Sequence, residues 1–233
     1  MYIATSQPTY LPWAGYFGMM SLCKIFIILD DVQFDRSSWQ QRNYIKGTNG
    51  KVYLTLSVKK KGQREQKINE VILNQPILDF SNHMKSIENY YNKSKYFKEF
   101  KNIFFEIYER NYVSLFEINY AFIDLIRKIL KIDTKLVLSS SLEKKGKKSE
   151  LIFSLLNNFS IKNYLVNPGS LEYLNNDAKN YQLYLFNYNP HYVYKQVYEN
   201  YIPYLSIIDM IFNLGENETR SYINKCSSIK KIK

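Results

Sequence analysis

Ile25-Phe26-Ile27-Ile28-Leu29-Asp30-Asp31-Val32-Gln33-Phe34 decides the fold. Its five consecutive apolar residues read as a buried strand that delivers a pair of acids at its carboxyl end. Upstream, Tyr2 to Thr5 reads as a short first strand. Pro8 and Pro12 then hold the chain extended or turned until a helix begins near Trp13. Strand, loop, helix and strand make a βαβ unit, which predicts a parallel pair. Ligands bind outside the carboxyl ends of strands in open α/β sheets. The first 43 residues are therefore read as a site.

Working outward, Val52 to Val58 alternates as a strand, and the basic, polar stretch Lys59 to Lys67 reads as a mobile loop. Apolar residues then recur at helical spacing: Phe80, Met84, Ile87 and Tyr91, followed by Phe97, Phe100, Phe104 and Ile107. Ser114 and Glu117 form a capping-box start for a third helix. Beyond it strands at Leu136 to Leu138, Asn163 to Val166 and Leu183 to Tyr188 alternate with helices from Ser149 and Ser170. A helix from Ser206 to Asn213 is stopped by Gly215, a second runs from Glu216 to Cys226, and Lys230 to Lys233 is expected to fray. The predicted class is α/β: one domain over 1–233, a mostly parallel Rossmann-like sheet, and a helical subdomain at about 79–131.

Two adjacent residues on a strand point to opposite faces, so one of Asp30 and Asp31 is expected to face a given ligand, with Gln33 on the side of Asp31. The other reading is that one acid caps the following turn. Gln7, Tyr10, Trp13, Gly15 and Tyr16 surround two prolines, the makings of a rigid aromatic-walled pocket for a sugar ring or nucleobase; Tyr10 and Trp13 alternatively plug the sheet. Arg42 suits a phosphate or carboxylate, or an ion pair with Asp30, Asp31 or Asp35, and Asn43 suits a hydroxyl. Lys148 and Ser149 open a helix, where phosphate is attracted; the run Lys144 to Lys148 otherwise reads as a solvated loop. His83 is the better general-base candidate of the two histidines, His191 lying in a turn. Ser206, Asp209 and Asn213 share one helix face.

Composition narrows the class. The net charge of +11 is mostly lysine in a chain rich in Ile, Asn, Tyr and Phe. Nucleic-acid binding is disfavoured, whereas a positive field suits nucleotide-linked or lipid-linked sugars and peripheral contact with anionic membranes. Two Cys and two His, widely separated, lack metal-ligand spacing, so no metal site or disulfide framework is expected. No secretory signal is visible, and no apolar run reaches the ~20 residues of a membrane span. A cytoplasmic location is expected. Neither a hydrolase triad, a Walker loop nor a dinucleotide fingerprint is present.

The Gln-Pro-x-Tyr-Leu-Pro-Trp-x-Gly-Tyr opening, the Leu-Asp-Asp-Val-Gln-Phe strand end and Arg42-Asn43 resemble the WbqC-like family, bacterial proteins found with genes for O-antigen and related polysaccharides. His83, Lys147 to Ile152, Asn163 to Leu174 and Leu205 to Gly215 extend the likeness over essentially the whole chain. It departs at Ser6, where a His usually precedes Gln-Pro, at Asn167, usually Gly, and at Leu214, often Cys. The resemblance implies an amide-forming transferase or ligase that attaches glycine or another acyl or aminoacyl group to a sugar. Asp30, Asp31 and Gln33 would contact the acceptor, Arg42 and Lys148 the phosphates, and His83 or an acid would take the amine proton. The opening is also similar to nucleotidyltransferase-like enzymes such as pantothenate synthetases, whose loop binds ATP, though their loop histidines are absent. ATP with Mg²⁺, a thioester donor, and a non-catalytic sugar-binding role all stay open.

Overall fold

The computed structural model describes residues 1–59, 65–174 and 180–232, without the side chains at 172 and 173. The chain opens with β1 (Tyr2–Ser6), α1 (Ala14–Ser21) and β2 (Cys23–Ile28), then a hairpin of β3 (Arg42–Gly47) and β4 (Gly50–Thr55). Three helices follow: α2 (Pro76–Tyr91), α3 (Phe97–Tyr108) and α4 (Leu115–Ile129). Alternation then returns with β5 (Lys135–Leu138), α5 (Ser149–Leu156), β6 (Asn163–Val166), α6 (Pro168–Leu174) and β7 (Gln182–Tyr188), before α7 (Ile207–Cys226) and β8 (Ser227–Lys231).

The central sheet runs β5-β2-β1-β6-β7-β8, parallel throughout except for the antiparallel edge strand β8. Its five parallel strands follow the spatial order of doubly wound nucleotide-binding sheets. The chain first builds outward from β1 through β2 to β5, then crosses back to place β6 on the other side of β1. Successive strand residues therefore feed two cores. Ala4, Phe26, Ile28, Leu165 and Phe186 pack on the face covered by α1, α2, α3, α4 and α7. Ile3, Ile27, Tyr164, Val166 and Leu183 pack with α5 and Leu174. The result is a mixed α/β fold with a mainly parallel sheet.

The helical periodicities hold. Ser114 Oγ accepts from Glu117 N at 3.1 Å while Glu117 Oε2 accepts from Ser114 N at 3.0 Å, and α4 buries Ile118, Phe122, Ile123 and Ile126. Each such side chain contributes roughly 1.5–3 kcal/mol. Gly215 interrupts α7 at φ 76°, a left-handed conformation that suits glycine, and an added Cβ would meet the Tyr96 ring at 2.9 Å.

Three local expectations differ. Strand β3 was not foreseen, although Asn49-Gly50 between alternating residues is a hairpin signal. The Lys-rich end does not fray before Lys231; it pairs with β7, where lysines suit an exposed edge. Strand β4 stops at Thr55, with Val58 making an isolated bridge to Leu73. Positions 60–64 of the basic loop and Lys233 lie outside the described residues.

Candidate functional site

The order reversal beside β1 leaves a crevice position at the carboxyl ends of β1 and β6, the topological switch point where doubly wound sheets take ligands. Ser6 and Gln7 leave β1 there, and Asn167 leaves β6. Gln7 is exposed, and its Oε1 accepts from Gln40 Nε2 at 2.8 Å. Asn167 Oδ1 accepts from Ser170 N (3.0 Å) and from Ser170 Oγ (2.9 Å), which fixes the start of α6. Beside Ser6, the buried Tyr16 hydroxyl has no hydrogen-bond partner of good geometry, and burial pushes its phenol well above the ordinary range.

One strand over, β2 ends at Ile28, and Asp30 and Asp31 lie in the turn beyond it. Alternation no longer applies to them, and both carboxylates turn toward Ser139, which follows β5. Ser139 Oγ is 2.5 Å from Asp31 Oδ1 and 3.0 Å from Asp30 Oδ1, so one hydroxyl proton serves two acids. Asp30 is 2% exposed, and its remaining contacts come from Ser140 N (2.9 Å) and Asn69 Nδ2 (3.3 Å). It holds the ends of β2 and β5 together. Asp31 is half-buried and pairs through Oδ2 with Lys144 Nζ at 2.6 Å. Burial alone raises its carboxyl, but hydrogen bonds from Lys144 and Ser139 and the charges of Lys144 and Lys67 outweigh that and hold it below the usual range. Gln33 is exposed on an isolated bridge to Lys67.

The loop pinned by Lys144 leads straight to α5, so Lys148 and Ser149 enter that helix on the same rim. Lys148 is exposed at the N-cap with φ 53°, and Ser149 is half-buried. The rim thus brings Gln7, Asp30, Asp31, Lys148 and Ser149 to the carboxyl ends of neighbouring strands. Ser139, Lys144 and Asn69 were not singled out from the sequence; Lys144 was hidden in a lysine run and the other two are ordinary polar residues.

Other positions lie elsewhere. Tyr10 is fully buried, its hydroxyl 2.8 Å from His83 Nδ1 and 2.5 Å from the Tyr108 hydroxyl. Burial lowers His83 to about 4, against smaller raising effects from Asp79 and the Thr55 backbone. Trp13 packs edge-on to Tyr188 at 5.1 Å and covers Gly15, where a Cβ would strike the indole at 2.2 Å. The aromatic cavity it shares with Tyr194, Tyr204 and Tyr222 has about 10 Å³ free, room for one water at most. Asn43 is buried, donating to Leu11 O at 2.7 Å. Arg42 lies over the Tyr53 ring at 5.0 Å, with no ion pair among the described residues.

On α7, Ser206 caps the helix, and its amide donates to Tyr44 O at 2.9 Å. Asp209 is fully buried and accepts from Tyr91 (2.9 Å), Tyr194 (2.5 Å) and Gln196 (2.8 Å); burial raises its carboxyl against those bonds and the Lys46 charge. Lys46, lowered by burial, donates to the carbonyls of Glu199 and Asn200. Asn213 donates to Asp209 O at 2.7 Å.

A separate cleft of about 590 Å³ opens at the amino edge of the sheet, lined by Lys24, Lys131, Asp133, Arg220 and neighbours. The carboxyl ends of α1 and α4 face it with carbonyls, and Lys131 is paired with Glu216.

Residues 7–221 match the WbqC-like protein family. The uncharacterized protein Rv1507c of Mycobacterium tuberculosis (strain ATCC 25618 / H37Rv) is similar, 30% identical over 229 residues that cover 96% of this chain and 98% of the relative. No solved structure matches the chain. No helix among the described residues is long and apolar enough to cross a membrane.

Proposed function

Since this chain belongs to the WbqC-like protein family, we propose that it is an amide-forming transferase or ligase of surface-polysaccharide (O-antigen) biosynthesis, attaching glycine or another acyl or aminoacyl group to a nucleotide-linked or lipid-linked sugar. The observation that carries the reading is the carboxyl rim: an ionised Asp31, its side chain 9% exposed, with Lys144 against it, one strand from Gln7 at the switch point. Asp31 contacts the amine of the acceptor sugar, and Gln7 orients a hydroxyl. Lys148 at the start of α5 meets phosphate oxygens.

With ATP, the donor carboxylate displaces pyrophosphate and becomes an acyl adenylate. The sugar amine then attacks the acyl carbon, the C–N bond forms as the bond to AMP breaks, and the amine's proton passes to Asp31 and on to water. His83, buried and hydrogen-bonded to Tyr10, does not reach that transfer. With a thioester donor the same attack expels a thiol.

A second reading, a sugar-binding protein without turnover, draws on Asp30 and His83 both being fully engaged in structural hydrogen bonds. Incubation with ATP, glycine and a panel of amino-sugar nucleotides, read by mass spectrometry, separates them. An amide product with AMP release supports the ligase; tight binding with no product, unaltered by Asp31→Asn except in affinity, supports the binding protein.

A further inference from the structure

The hairpin β3–β4 turns Asn43 and Ile45 inward, leaving Arg42, Tyr44, Lys51 and Tyr53 on its outer face. Tyr44 and Tyr53 are cross-strand partners with rings 4.3 Å apart and hydroxyls 2.5 Å apart, and Trp39 meets Tyr44 edge-on at 5.2 Å. Trp39 is 50% exposed and Tyr53 48%, large rings left in water beside a core that accommodates many others. Cations lie over both tyrosines: Arg42 at 5.0 Å from the Tyr53 centroid and Lys51 at 4.7 Å from Tyr44. Neither cation has an ion pair among the described residues. Arg42 is thus pre-oriented on a ring with its donor edge unspent.

This face is joined to the rim. Trp39 O accepts from Tyr10 N at 2.9 Å, and the next residue, Gln40, holds Gln7 at 2.8 Å. The segment that carries Trp39 is thus anchored to the one that leaves β1 at the switch point. We infer that Trp39, Arg42, Tyr44 and Tyr53 form a subsite for a pyranose carrying a phosphate or carboxylate, the ring lying on Trp39 and the anion on Arg42. This deepens the reading of the rim as a sugar site and rests on it. The face carries hydroxylated rings and cations but no Leu, Ile or Phe; exposed Ile77, Leu78 and Val113 sit on other elements, so a bilayer is the poorer match.

The chain has two tryptophans, Trp13 and Trp39, which makes intrinsic fluorescence a direct reporter. Titration of the full chain with glucose 1-phosphate, N-acetylglucosamine 1-phosphate and glucuronate, with inorganic phosphate and neutral N-acetylglucosamine as comparisons, is expected to quench or shift emission for the anionic sugars. The signal is lost in Trp39→Phe, and calorimetric affinity falls about tenfold in Trp39→Ala and in Arg42→Gln. Phosphate alone binds weakly and is unaffected by Trp39→Ala. Absence of binding across all three anionic sugars overturns the subsite. Trp39-dependent binding to phosphatidylglycerol vesicles or oligothymidylate, without sugar binding, overturns it too and gives the face to that partner. Binding without amide formation keeps the subsite and removes the transferase reading; amide formation unchanged by Trp39→Ala does the reverse.

Discussion

Lys144 Nζ stands 2.6 Å from Asp31 Oδ2 and at the same distance from the carbonyl of Ser139. This clasp ties the turn after β2 to the loop that enters α5. Because Asp31 is held below the usual carboxylate range, its pairing stabilises the fold above the unfolded value of about 4, and that contribution is lost as pH falls through the depressed one. Lys144→Met should cost about 1–3 kcal/mol at neutral pH, because it leaves the largely buried Asp31 carboxylate without its cation, and flatten the acid limb. Urea unfolding at a series of pH values checks it; an unchanged acid limb contradicts the clasp.

His83 titrates with the opposite chemistry but the same direction. Buried and lowered to about 4, it is neutral in the fold, whereas the unfolded chain protonates it near 6.5. Its contribution is complete above 6.5 and is lost between 6.5 and about 4, a span worth about 3 kcal/mol. His83→Phe should remove that slope while costing about 1 kcal/mol for the Tyr10 bond, since Tyr10 keeps Tyr108. A His83 resonance titrating near 6.5 in NMR would contradict the buried placement.

Asp209 gathers the segment after β7 onto α7. Asp209→Ala strands Tyr91, Tyr194 and Gln196 and should cost about 3–5 kcal/mol, with new protease cleavage between 192 and 205. Asp209→Asn should cost less, because its amide oxygen can still accept from Tyr194 and Gln196. As burial raises the Asp209 carboxyl, stability is lost as pH rises from about 4 through the raised value, and the Asn variant lacks that slope.

Gly215→Ala places a Cβ at 2.9 Å from Tyr96 in a left-handed residue. A loss of about 1–3 kcal/mol by chemical denaturation is expected; a loss near zero would mean α7 straightens freely.

Much of the fold was legible because hydrophobic period is a local property: Ile25 to Leu29, the Phe97 to Ile107 stripe and the Ser114 cap all became the elements they announce. The acids were legible as a rim feature, but their direction was not. Side-chain alternation fails once β2 ends at Ile28, and what turns Asp30 and Asp31 is Ser139, over a hundred residues away. Strand order, which locates the switch point, likewise comes from long-range pairing. Lys144 differs from Lys145 or Lys147 only in what it meets in space. Trp39 and Tyr53 were passed over because nothing local marks a ring as exposed.

Hydrogen–deuterium exchange with and without amino-sugar nucleotides is the most direct test of the rim as the ligand site. Protection is predicted over 6–12, 29–33 and 139–149, with the N-terminal part of α6 following. Protection confined to the amino-edge cleft at 21–24, 130–134 and 220–224, with the rim unchanged, would contradict the account.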